Sequence, residues 1–167
     1  MLRPAVHDLL SAGTRVLLVA RRPERADAGA PDSGQLIPVA ADWSEPEELG
    51  RKVREAAGGR PIDEAILWVH TPYDAGVHQA LDPLLSPGAT VAQLWGSAGA
   101  DPNRSRPLPE QYRPPRNYRS VVLGFTRTTH GTRWLTDREI SNGALRGLSE
   151  PDPEQTVGRT QPWSDRP

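Results

Sequence analysis

Apolar positions along this chain repeat in two alternating rhythms. Leu2, Val6, Leu9 and Leu10 fall at helical spacing, and Gly13 offers the left-handed stop that ends a helix. Residues 15–20, RVLLVA, then form a short apolar strand, and a Gly- and Pro-bearing loop leads to a second run at 36–41, closed by Asp42. Ser44 with Glu47 three positions on has the form of a capping box, which predicts a helix over 45–57 whose buried stripe is Leu49, Val53 and Ala56 and whose end is Gly58-Gly59. A third strand is expected at 64–70, a helix carrying Val77, Leu81, Leu84 and Leu85 at 74–86, a break at Pro87-Gly88, and a fourth strand at 89–95. Strands that alternate with helices of this length need right-handed crossovers. The pattern therefore predicts an α/β fold with a mainly parallel sheet covered on both faces.

Residues 101–117 break the rhythm, because Pro107, Pro109, Pro114 and Pro115 remove donors and fix the backbone in a Pro/Arg-rich loop. A strand at 119–125 follows, and then a helix opened by Thr136, with Glu139 at the capping-box position and Ile140, Ala144 and Leu145 on its buried side. From Ser149 onward the chain is polar and proline-rich without periodicity. The expected organisation is one domain over 1–148 and a disordered tail over 149–167.

Composition narrows the function classes. The sequence has 20 Lys+Arg against 21 Asp+Glu, so no bulk field steers it toward nucleic acid or an acidic membrane. Lys52 is the sole lysine, and cysteine is absent, which removes disulfides, thiolate metal sites and thiol nucleophiles together. The four histidines, His7, His70, His78 and His130, show no ligand spacing, so no metal site is expected. With no apolar run of bilayer length and no leader, a cytoplasmic protein is the default.

The leading helix and strand read as the second half of a nucleotide-binding unit, in which a strand and a glycine-rich turn would come first. The expectation is that the fold is N-terminally truncated, with Met1 an internal methionine of a longer product. Without that first strand, RVLLVA and AILWVH would each carry an open ladder, and without the turn's amides cofactor binding should be weak.

Three positions carry a family resemblance: Gly13 two residues before an apolar strand, Arg21-Arg22 just past that strand, and Asp42 at the end of the next. In this order and spacing the chain resembles the short-chain dehydrogenase/reductase family, entered one strand late, over about residues 1–100 and more loosely over 118–148. The segments WVHTPYD (68–74), QLWGSA (93–98) and RWLTDREISNG (133–143) look like those of an atypical branch of it. The resemblance implies a Rossmann-like three-layer sandwich.

The candidate site residues follow. An acid at the end of the second strand of such a unit accepts hydrogen bonds from a ribose, whereas arginine there pairs with a 2′-phosphate, so Arg21 and Arg22 favour NADP over NAD. Such a charge-assisted bond contributes roughly 1.5–3 kcal/mol, about tenfold to a hundredfold in affinity. The plainer alternative is that both arginines open a solvated loop. Asp42 would bond the adenine amine, as the resemblance implies, or cap the next helix in competition with Ser44. Trp43 would flank the base or cover the sheet edge. The resemblance places the cofactor ribose beside His70 and Thr71, although His70 also suits a polar strand terminus. Trp68 and Trp95 alternate with aliphatic neighbours and read as core.

Catalysis in the similar family rests on a serine after the fourth strand here, and on a tyrosine with a lysine four positions on. Ser97 fits the first. Tyr112 with Arg116 comes nearest to the second, but Pro114 and Pro115 between them prevent a shared helical face, and no lysine stands there. Two readings stay open: an NADP-dependent oxidoreductase acting on a small carbonyl or alcohol, and a non-catalytic Rossmann-like module that binds a nucleotide or a partner. The helix at 74–86 supplies a candidate face for a homo-oligomer.

Overall fold

A computed structural model describes residues 1–26, 34–96 and 117–167. These fall into two compact units, one comprising Arg3–Asp63 and Val69–Ser86, the other Met1–Leu2, Glu64–Trp68 and Pro87–Pro167. The fold is α/β with mainly parallel strand pairing, as the alternating rhythm predicts.

In the first unit, α1 (Arg3–Ser11) buries Ala5 and Leu10 and stops at Gly13, whose φ of 79° suits glycine and whose N–H donates to Leu10 O. β1 (Arg15–Ala20) then pairs in parallel with β2 (Gln35–Ala40), Arg15 against Gln35 through Ala20 against Ala40. Pro38 is tolerated in β2 because β1 is that strand's sole ladder partner among the described residues. α2 (Pro46–Ala57) lays Leu49 and Val53 on Val39, with Val77 from α3 (Asp74–Leu81) closing the core. The two helices approach closely at Gly50, where a Cβ would stand 3.0 Å from Ala80 O.

Two boundaries differ from expectation here. Ser44 does not cap α2: Pro46 occupies the first turn, the N-cap is Glu45, and no side chain caps it. The Ser44 N–H instead donates to Asp42 Oδ1 at 3.0 Å, so the Asp-x-Ser turn consumes the group that the capping box would have used. α3 also ends at Leu81, earlier than 86, because Pro83 cannot donate to a third turn; a 3-10 turn over Asp82–Leu84 hands the chain directly to the next strand.

The second unit holds the sheet β3-β4-β5-β8, built from β3 (Ile62–Leu67), β4 (Leu85–Trp95), β5 (Asn117–Leu123) and β8 (Glu154–Val157). β5 runs parallel to both β4 and β8. One face, bearing Ala92, Leu94, Val121, Leu123 and Val157, packs against Ile140 and Ala144 of α4 (Asp137–Ser149). Gly143 and Gly147, one turn apart, let that helix lie on the strands: a Cβ at Gly143 would come within 2.2 Å of Val157 Cγ2, and one at Gly147 within 2.6 Å of Val121 Cγ2. The strand expected at 119–125 divides at Gly124, and Phe125–Thr128 (β6) turns into an antiparallel hairpin with Gly131–Trp134 (β7).

The stretch expected to be a disordered tail contains β8. Its Gln155 and Val157 alternate inward, but a strand of four residues directly after Pro153 is too short to show a period of two in the sequence. The capping box at α4 is formed as predicted, with Glu139 N–H donating to Thr136 Oγ1 and Thr136 N–H to Glu139 Oε2. Arg133 of β7 adds a two-pronged bond to the same carboxylate at 2.8 and 3.0 Å.

Two outcomes are expected. Arg133, then the Thr136 N–H, hold Glu139 down at about 2 against an ordinary 4.5, so its contribution to stability is full above pH 4.5 and is lost as the pH falls toward 2. Urea unfolding across that window should show this loss in the native chain and a flatter limb in Glu139→Gln, while Thr136→Ala should cost about 1 kcal/mol at pH 7. Gly143→Ala should cost about 1–3 kcal/mol by overpacking on Val157, and adding Val157→Ala should destabilise by less than the sum of the two single changes.

Candidate nucleotide site

The register of β1 and β2 places the residues that follow both strands together. The ladder closes with the Ala41 N–H donating to Ala20 O at 3.0 Å, so Arg21 and Asp42 leave the paired strands at the same end, the carboxyl end. Arg21 Nε lies 4.0 Å from Asp42 Oδ2, and its guanidinium carbon stands 5.9 Å from the centre of the Trp43 ring. His70 meets Trp43 edge to face, with ring centres 5.5 Å apart and planes at 68°. The structure thus brings four of the predicted residues, Arg21, Asp42, Trp43 and His70, into one group.

Each member is held differently. Trp43 is half-buried and packs on the core of its unit, so its position is fixed by the fold. Asp42 is anchored by Ser44, whose backbone N–H and then hydroxyl are the leading causes that hold its carboxyl below the ordinary aspartate value; Arg21 adds a smaller attraction. The Arg21 side chain is 72% exposed. His70 accepts the Tyr73 N–H through its backbone oxygen at 3.0 Å, which fixes the turn leading into α3.

The other predicted residues do not join this group. Arg22 is exposed and its carbonyl accepts the Arg25 N–H at 3.2 Å. Thr71 is exposed beside His70 and precedes a cis bond to Pro72. Ser97 and Tyr112 lie outside the described residues. Sequence reasoning missed the part played by Ser44; an aspartate followed two positions later by serine and then by proline was the available signal for an Asx turn.

An exposed cation, an anchored carboxylate and a half-buried aromatic ring thus stand together at the carboxyl end of parallel strands, the end at which α/β folds take their ligands. Among the described residues no group of three or more His, Asp or Glu side chains is placed to hold a metal, and no helix is long and apolar enough to cross a membrane.

Comparison with solved structures shows the fold of the short-chain dehydrogenases. A carbonyl reductase from Pseudomonas aeruginosa PAO1 superposes with a TM-score of 0.58 at 16% identity, covering 98% of this chain and 92% of the other. A short-chain dehydrogenase/reductase, glucose/ribitol dehydrogenase, from Brucella melitensis gives 0.59 at 14% identity, covering 92% and 88%. No protein-family model and no curated protein matches the chain.

The order of causes at Asp42 gives a measurable consequence. In a carboxyl-detected NMR titration, Ser44→Ala should raise the Asp42 pKa by more than Arg21→Ala does. The reverse order would mean that the ion pair outweighs the Ser44 hydroxyl, since the Ser44 backbone N–H remains in both variants.

Proposed function

We propose that the group formed by Arg21, Asp42, Trp43 and His70 receives the adenosine end of a nicotinamide dinucleotide, NADP in preference to NAD, in a cytoplasmic oxidoreductase acting on a small carbonyl or alcohol. The observation that carries this reading is the convergence of those side chains at the carboxyl end of β1 and β2 in a fold shared with a carbonyl reductase. The residues fit the group. Arg21, exposed, turns toward a 2′-phosphate; Trp43 offers its ring to the base; Asp42, kept ionised, accepts from the adenine amine or a ribose hydroxyl. Thr71, exposed next to His70, borders the ribose, and Arg22 adds a second positive charge at the loop.

NADP, when bound, supplies or accepts the hydride. The proton is assigned to Tyr112, with Ser97 orienting the substrate oxygen. A second reading rests on the sequence: Pro114 and Pro115 stand between Tyr112 and Arg116, and no lysine lies four positions after Tyr112, so a module that binds nucleotide without turnover is the alternative.

Calorimetric titration with NADPH and NADH tests the binding claim. Arg21→Ala should weaken NADPH by about tenfold, the low end for a charge-assisted bond because the guanidinium is solvated, and should leave NADH nearly unchanged. Equal losses for both, or no binding of either by the native chain, would refute it. Loss of aldehyde reduction in Ser97→Ala/Tyr112→Phe would separate the oxidoreductase from the binding module.

A further inference from the structure

Helices α2 and α3 lie side by side in one unit, Pro46 against Gly76 and Gly50 against Ala80, so they run in the same direction. With a glycine at each close approach, the line between the helices is sunken and forms a groove of about 350 Å³. Its α2 wall is charged. Glu47, Arg51 and Arg54 stand along it, with Gln79 of α3 among the residues opposite. Glu47 and Arg54 are both exposed, and neither side chain has a hydrogen-bond or ion-pair partner among the described residues.

Two turns of helix separate that acid from that base, so they share one face, about 10.5 Å apart along the axis. A wall that carries both signs gives no net attraction to a small anion, to a small cation or to a run of like charges. What matches it is a surface with the same two charges in reverse order at the same spacing, and α2 turned end for end has that order. Under a twofold axis between Gly50 and Arg51, Glu47 of each copy meets Arg54 of the other, and both contacts form at once. Arg51 then lies over Gly50 of the other copy, where no side chain blocks it. Its charge is already taken up within its own helix by Glu48 at 2.7 Å and Glu55 at 3.3 Å, so the axis brings no bare like charges together.

We propose that this groove is where two copies of the chain meet, α2 against α2 in opposite directions, with the Glu47–Arg54 pair made twice. Exposed pairs of this kind are weak, so the association is transient and strongest at low salt. The helix dipole by itself favours an acid in the first turn and a base in the last. That effect acts within one chain, whereas pairing between copies makes opposite charge reversals on two chains compensate each other.

The test is sedimentation velocity of the full chain at submillimolar concentration, at low and at high salt. The native chain should form dimers that loosen as the salt rises. Glu47→Arg and Arg54→Glu, each alone, should weaken self-association about tenfold or more, because two attractions become two repulsions. An equimolar mixture of those two variants should restore it, since every contact across the axis is again a pair of opposite charges. Should either reversal unfold the chain, Glu47→Gln and Arg54→Gln take their place, each expected to weaken the dimer by less and to remove its salt dependence. A native chain that stays monomeric, as it would if a different protein used the groove, overturns the proposal. So does a dimer that the variants leave unchanged, or a mixture of the two reversals that fails to associate. Each of those results leaves the nucleotide reading intact, since Arg21, Asp42, Trp43 and His70 take no part in the contact.

Discussion

The in-register parallel pairing of β1 with β2 is the constraint on which the candidate site depends. Because Ala20 faces Ala40 and the ladder continues one rung further to Ala41, the two strands leave the sheet together, and Arg21 is brought beside Asp42 and Trp43. A slip of one residue would reverse the inward and outward sets on a strand where Val39 is the buried member. Burial of Val39 against Leu49, Val53 and Val77 therefore fixes the register, and the register fixes the separation of Arg21 from Asp42. Hydrophobic packing several residues away sets the electrostatics of the loop ends.

The other unit uses close approach where the first uses register. Glycines at 143 and 147 remove the side chains that would hold α4 off the sheet, so Val157 and Val121 come to the helix backbone itself. Such a contact needs the helix to start at a defined residue. Thr136, Glu139 and Arg133 supply that start through the capping box and the paired guanidinium bonds. With one face closed by α4, the buried Gln93 and Ser120 lie on the other face of the sheet.

Much of this was legible in the sequence. The order of the first four strands and three helices, the Gly13 stop and the Thr136 capping box rest on local chemistry and are found as predicted, although β3 covers Ile62–Leu67 rather than 64–70 and β4 starts at Leu85 and runs through the break expected at Pro87-Gly88. The departures come from competition that a local pattern does not rank. Ser44 has the spacing of a cap, but Asp42 takes its N–H and Pro46 takes the first turn. Helix α3 has apolar residues at the right intervals through Leu85, yet Pro83 stops it. The short β8 gains its stability from pairing with β5 and from the notch at Gly143, neither of which leaves a trace within residues 154–157. Of the site, the four residue types were visible in the sequence. Their meeting around one indole ring was not, because it depends on the register and on the turn that brings His70 back to Trp43.

The same geometry limits how sharply such a site can choose between nucleotides. Arginine at the end of β1 favours a phosphate, whereas an ionised carboxylate nearby favours a ribose hydroxyl, and here the two stand 4.0 Å apart. Asp42 is tied to the Ser44 backbone and keeps its charge, so an incoming phosphate meets a fixed anion. Arg21 is solvated and can swing away, but in doing so it leaves both its partner carboxylate and the Trp43 ring. Each of those contacts is weak at an exposed position, on the order of 1 kcal/mol or less. A phosphate gained must be set against both. On the proposed reading the balance is a modest preference for NADP, set by the two contacts that one guanidinium gives up and not by the number of positive charges in the loop.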